Sequence, residues 1–442
     1  MARTNSTQCI FASVFLVILS SCASLKTNYL GKANRELSNF KLGAVELAAL
    51  DSGRKASEQH MDSLVNRITA KDHSRHLAAN EINELFSSFA IQLGHARIFN
   101  AILHKENLSR EQLSDLQYYS AVQLLESAVF FDKCFQKHNK IRRILNRGDA
   151  GNSIPKNIIQ KSRTFLYSPA VRQKLLKRKV ALKADTLNVA LAHLPRTNAC
   201  KSFFYTLYRK NDRIINSFYS LFTFTGSAIL GTSKVKTPVK AKQRAIARKL
   251  ESQLQSYDIL LSRNTNHVSA KIIPGYFGHA ALWLGADAPQ KRKKLRNLFR
   301  KDTVHPASIN QKGIVEALRS GVQVSSIKEF AEGDVFIIIR MPSLTPEQKK
   351  SIVTNAAKQM DKPYDFNFDI ESPDMVNCTE LIYLSCDFIP WKVSPYMGRY
   401  TILPDDILRT ALEGKQFEIV GLLNDGNWVV HPEPTSLLKL LQ

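Results

Sequence analysis

The feature that most constrains the fold is a change of hydrophobic period near residue 256. Upstream, apolar residues recur every three or four positions. Ile82, Leu85, Phe86, Phe89 and Leu93 form one such stripe, and Leu113, Leu116, Val122, Leu125 and Val129 form another. That spacing places each set on one face of a helix. Ser109 followed by Gln112 predicts a capping box at the start of the second stripe, and Ser168-Pro169 marks a further helix start. Downstream, the apolar runs shorten to strand length: 257–262 (YDILLS), 280–284, 314–317 (IVEA), 322–324 and 335–340 (VFIIIR), separated by Gly, Pro and Asn. A helix is expected from Thr345 to about Met360, another at Cys378, and a last α/β segment ends near Val420. Strands followed by helices argue for an α+β domain of about 190 residues, large enough for its own core. It is preceded by a mainly helical region from about Asn34 to Leu250, with no repeat period. Within that region, 214–231 (IINSFYSLFTFTGSAILG) reads as a buried apolar helix or the lining of a hydrophobic substrate groove, with burial the favoured reading.

The amino terminus reads as a leader. Arg3 and the α-amino group give a positive start, and Cys9–Leu19 is an apolar run of signal-peptide length, too short for a membrane anchor. Leu19-Ser20-Ser21-Cys22 resembles a bacterial lipobox. The resemblance implies cleavage before Cys22 and lipidation of its sulfur, and two or more acyl chains anchor stably where one is marginal. Ala23 and Ser24 follow in place of an aspartate, which leans towards the outer membrane, facing the periplasm. The resulting domain scheme is 1–21 leader, 22–250 helical region and 251–442 α+β domain. The mature chain keeps Cys134, Cys200, Cys378 and Cys386, too few for a disulfide scaffold. A Cys134–Cys200 bridge is open at this level.

The formal charge is +24, from 62 Lys+Arg against 38 Asp+Glu. Nucleic acid is not the expected partner. The basic residues are spread out, with runs at 177–183, 234–249 and 291–301, and no zinc-finger or aromatic RNA-binding pattern accompanies them. Anionic lipid or acidic wall polymers suit a tethered protein better. His73 and His76 read as a solvated helix face. No metal or cofactor motif is present: there is no CxxC, HExxH, glycine-rich phosphate loop or GxSxG.

The chemistry gathers around VNCTELIYLSC, 376–386. Pro373 disfavours helix just upstream, so Cys378 falls at a helix amino terminus, where free N–H groups and the macrodipole favour a thiolate. Cys386 lies two turns further on and reads as a core thiol. His279 opens a strand after Gly278. Imidazole there can deprotonate a thiol, and a third polar group usually holds such a ring. Glu316, on the next β-type run, can reach His279 if the two strands are adjacent and antiparallel.

In order, YDILLSR, GHAALWLG, IVEA, Gly321-Val322, VFIIIR, KPYDFNF, NCTELIY and LPDDIL resemble the circularly permuted NlpC-type papain-like cysteine hydrolases, the YiiX-like branch. Lecithin:retinol acyltransferase-like enzymes are more distant relatives. In this branch the histidine strand precedes the cysteine helix, as here. The resemblance covers roughly residues 255 to 422. It implies an antiparallel sheet packed on helices, with Cys378 as nucleophile, His279 as base and Glu316 as the polar third member. It also implies that Tyr364 lies near the pocket, helping the oxyanion or orienting substrate, and that the Cys378 N–H is a first oxyanion donor. Thr379 stands where serine is common, and the segment between Gly285 and Ile314 is long and basic. The expected function is a membrane-tethered cysteine hydrolase acting on cell-wall peptide or on lipid amide or ester bonds. The alternative is a non-catalytic lipoprotein that binds a wall polymer or lipid.

Overall fold

A computed structural model describes residues 44–70, 76–103, 112–136, 138–159, 240–264, 274–285, 312–396, 399–424 and 426–442. Cys22, His73, Ser109, Ser168-Pro169, Cys200, 214–231 and most of the three basic runs lie outside these residues. The chain divides into two compact units. One comprises Met1–His60, Ile91–Phe130 and Lys174–Leu194; the other comprises Met61–Ala90, Phe131–Gln173 and Pro195–Gln442.

Four helices precede the sheet: α1 (Ala44–Ala70), α2 (Ala79–Leu103), α3 (Gln112–Gln136) and α4 (Asn139–Arg147). The stripe read from the sequence is buried along α2, with Ile82, Leu85, Phe86, Phe89 and Leu93 all facing inward. Val122, Leu125 and Val129 do the same on α3. In the first unit, Arg54 is buried and bonds Asp51, Glu58 and Glu126. Charge in a helical interior needs such pairing to offset its desolvation. His76 lies in the connection between α1 and α2, not in a helix. Its ring packs against Tyr400 with centroids 4.8 Å apart, so it is half-buried where a solvated face was expected. The local polarity of KDHSRH could not reveal a partner more than 300 residues away. No described helix is long and apolar enough to cross a membrane.

The α+β domain follows from α5 (Lys240–Gln253), which carries the described part of the second basic run. Its strands are β1 (Asp258–Arg263), β2 (His279–Trp283), β3 (Lys312–Leu318), β4 (Gly321–Ser326), β5 (Val335–Arg340), β8 (Glu418–Asn424) and β9 (Asn427–Val430). They form one antiparallel sheet in the order β4-β3-β2-β1-β5-β8-β9. A short hairpin, β6 (Ser394–Tyr396) with β7 (Arg399–Thr401), stands apart from it. The helices of this half are α6 (Ile327–Phe330), α7 (Pro346–Gln359), α8 (Cys378–Ser385), α9 (Pro404–Glu413) and α10 (Pro434–Leu440).

The central strands are buried on both faces, which explains their nearly continuous apolar runs. On one face, Leu260, Ala281, Trp283, Ile314, Phe336 and Ile338 join Ile246, Ala247 and Leu250 of α5 and Phe330 of α6 in one core. The alternate residues Ile259, Leu261, Leu282, Ile337 and Ile339 are also buried, on the opposite face of the pleat. Helix α8 packs on β2, β3 and α7. The expected helix at 345–360 is α7, where Thr345 and Gln348 form a reciprocal capping box and Pro346 occupies the first turn. The hairpin β6–β7 and the elements β9 and α10 were not read from the sequence. Three- and four-residue strands, and a seven-residue helix with only Leu437 buried, are too short to show a period.

Candidate active site

Cys378 is the first residue of α8 and is 2% exposed. The helix starts there because Asn377 caps it. The Asn377 Oδ1 accepts from the Thr379 N–H at 3.0 Å and the Glu380 N–H at 2.9 Å. In return, Glu380 Oε2 accepts from the Asn377 N–H at 3.0 Å, and its Oε1 from the Asn377 Nδ2 at 2.7 Å. The cap is thus spent on the second and third N–H groups of the helix. The Cys378 N–H, one of the four that a helix leaves without an internal acceptor, is not used by it. The Thr379 hydroxyl bonds the Ile402 carbonyl at 2.6 Å, a contact that a serine hydroxyl could also make.

His279 begins β2. The turn before it is held by Asp405 at the start of α9, whose two oxygens accept the N–H groups of Tyr276 and Phe277 at 2.8 and 2.9 Å. Gly275 allows this approach. It has φ +117, and a Cβ there would lie 2.5 Å from Asp405 Oδ2. β2 and β3 are antiparallel neighbours with Ala281 opposite Glu316, so Glu316 is diagonal to His279 on the same face. Diagonal neighbours lie within reach of long side chains. The Glu316 Oε2 and His279 Nε2 are 2.7 Å apart. Glu316 is 3% exposed and the imidazole 23% exposed. Phe330 packs beside the ring, with centroids 5.8 Å apart.

The structure therefore brings Cys378, His279, Glu316 and Tyr364 together. The Cys378 sulfur is hydrogen-bonded to His279, to the Ala280 N–H and to the Tyr364 hydroxyl. With Nε2 on Glu316, Nδ1 is the ring nitrogen left for the thiol. Burial works against a thiolate at Cys378, but the bond and charge of His279, the Ala280 N–H and the Tyr364 hydroxyl outweigh it and hold the thiol below its usual value. Burial likewise works against imidazolium, yet the bonds and charges of Cys378 and Glu316 push His279 up to about 10. The two shifts favour a thiolate–imidazolium pair. The Tyr364 hydroxyl is raised well above its usual value by burial and by the charge of Cys378, so it stays protonated and donates.

The other described cysteines lack this company. Burial pushes Cys386 far up and Cys134 up to about 12. Both are free and buried, as befits core thiols. Among the described residues, no group of His, Cys, Asp or Glu could hold a metal ion.

Several residues around the thiol were not singled out from the sequence. The Asn377–Glu380 box was visible as an N-x-x-E pattern at the helix start. Asp405 and Lys362 lie in the matched segments LPDDIL and KPYDFNF, but nothing local marked their partners. Lys362 is 1% exposed and reaches Asp149 Oδ1 at 2.9 Å, Gln359 Oε1 at 2.7 Å and the Pro373 carbonyl at 2.6 Å.

Residues 253–428, about two-fifths of the chain, match a family model described as "Permuted papain-like amidase enzyme, YaeF/YiiX, C92 family". No curated protein and no solved structure matches the chain. The order of the strands and the Cys378 helix, the antiparallel sheet and this match agree: residues 253–428 form a circularly permuted papain-like domain similar to that amidase family.

Proposed function

We propose that this domain is a cysteine hydrolase in which Cys378 is the nucleophile, His279 the general base and acid, and Glu316 the residue that orients the ring. The supporting observation is the chain of hydrogen bonds from the Cys378 sulfur through the imidazole to Glu316. The thiolate attacks a carbonyl carbon, and a C–S bond forms. As the C–N or C–O bond breaks, the imidazolium delivers its proton to the leaving nitrogen or oxygen. Water, deprotonated by His279, then attacks the thioester and releases the acid and the thiol. The Cys378 N–H and the Tyr364 hydroxyl suit the developing oxyanion. The substrate class is an amide in cell-wall peptide, or an amide or ester in lipid. A lipid tether at Cys22 and the charge of +24 favour a reaction at an envelope surface.

Labelling with iodoacetamide near neutral pH tests the nucleophile. The wild type and Cys386→Ala should label, and Cys378→Ala should not. Equal labelling of the two variants refutes the assignment. Incubation of the mature protein with muropeptides and, separately, with phospholipid vesicles should give a mass change in one set. Tight binding without turnover in either would favour the non-catalytic reading.

A further inference from the structure

The loop between α7 and α8 carries Tyr364 to the thiol and is densely acidic: Asp365, Asp369, Glu371 and Asp374, followed by Glu380 in the helix. Internal bonds shape it. Asp365 accepts the N–H groups of Asn367 and Asp369 at 2.8 and 3.0 Å, and Asp369 accepts that of Glu371 at 3.1 Å. Each of these carboxylates that is ionised is a negative charge close to a site that must hold a thiolate, and like charges raise a thiol's pKa. The cations paired with Asp374 and Glu371 come from outside the amidase-like segment, whereas Lys362, within it, reaches the Pro373 carbonyl. The Arg147 Nε, at the end of α4, bonds Asp374 Oδ1 at 2.7 Å, with both side chains 10% exposed. Lys140 bonds Glu371 Oε1 at 2.7 Å, and Lys156 reaches Asp374 Oδ2 at 3.2 Å. The Arg147 charge also acts on Asp365 and Asp369.

We infer that Arg147, a residue of the helical half, is a positioning residue for the thiol site: its guanidinium, seated on Asp374, offsets the charge of the acidic loop and so favours the thiolate form of Cys378. This rests on Cys378 being the nucleophile. The charged and titratable groups facing the sulfur are His279 from β2, Glu316 behind it on β3, Tyr364 and Asp365 from the loop, and Glu380 on α8. Cations are few in that set, so a buried guanidinium one step further out carries weight.

The test uses the full chain and the pH dependence of iodoacetamide labelling, with Cys378→Ala as background. Arg147→Gln should move the labelling midpoint up by about half a unit or more, and Arg147→Lys should restore most of it. Asp374→Asn breaks the same ion pair but removes a negative charge, so its midpoint should move down. A merely structural pair would disturb both variants in the same direction. An upward shift or no shift in Asp374→Asn overturns the inference even if Arg147→Gln fails to fold, as does an unchanged midpoint in a folded Arg147→Gln. Loss of the nucleophile reading is distinct: there, Cys378→Ala itself would still label.

Discussion

Replacing Asn377 with alanine should damage the domain more than any ordinary cap mutation. The side chain does two jobs in a fully buried place. As N-cap it accepts the N–H groups of Thr379 and Glu380, and losing such a cap costs about 1–2 kcal/mol. Its amide also donates to Glu380 Oε1 at 2.7 Å, and a buried acceptor left without that donor costs about 1–3 kcal/mol more. The expected loss is about 2–5 kcal/mol, against a typical total of about 5–15 kcal/mol for a folded domain. All three tryptophans, Trp283, Trp391 and Trp428, lie in the papain-like segment, so fluorescence during urea unfolding reports on it selectively. The transition should move to clearly lower urea. In parallel, the fraying first turn should slow labelling of Cys378. A loss below about 1 kcal/mol, with normal labelling, would refute the reasoning that the reciprocal Asn377–Glu380 pair holds Cys378 in place. Asn377→Asp sharpens the test. Aspartate caps as well as asparagine, but here it sets a carboxylate 2.7 Å from another, and burial already raises Glu380 well above its usual value. That variant should therefore lose stability as pH rises, because the pair holds a shared proton only at lower pH.

Two further outcomes follow from the same geometry. Glu316→Gln keeps an acceptor for Nε2 but removes the charge, so His279, raised to about 10, should deprotonate at lower pH, as read from its ring-proton resonances. The sign carries to stability. The His279 share is complete below its ordinary value of 6.5 and is lost as pH rises through about 10, so in the variant that loss should be smaller and complete at lower pH. Lys362→Met removes the cation from Asp149 and the donor from the Pro373 carbonyl, both buried contacts, and should cost about 3 kcal/mol in urea unfolding.

How far the sequence reached depended on the range of the interaction. The helix start at Cys378 was legible because proline and capping chemistry act within a turn. Cys386 read as a core thiol because eight residues of helix carry it away from that start. The diagonal contact of His279 and Glu316 was an expectation conditional on strand adjacency, and the intervening 28 residues, 284–311, carry no signal of register. His76 was misread because its environment is set by Tyr400, far along the chain.

The sequence by itself determined the switch from helical to strand period, the order of histidine strand and cysteine helix, and which cysteine stands at a helix amino terminus. These are local properties, written within a turn of helix or one pleat of strand. Only the tertiary structure decided that Asp405 steadies the turn before His279, that Nε2 of His279 faces Glu316, and that Arg147, Lys140 and Lys362 brace an acidic loop beside Cys378. Those contacts join residues that are distant in the chain. They depend on strand register and helix packing, which no short stretch of residues encodes.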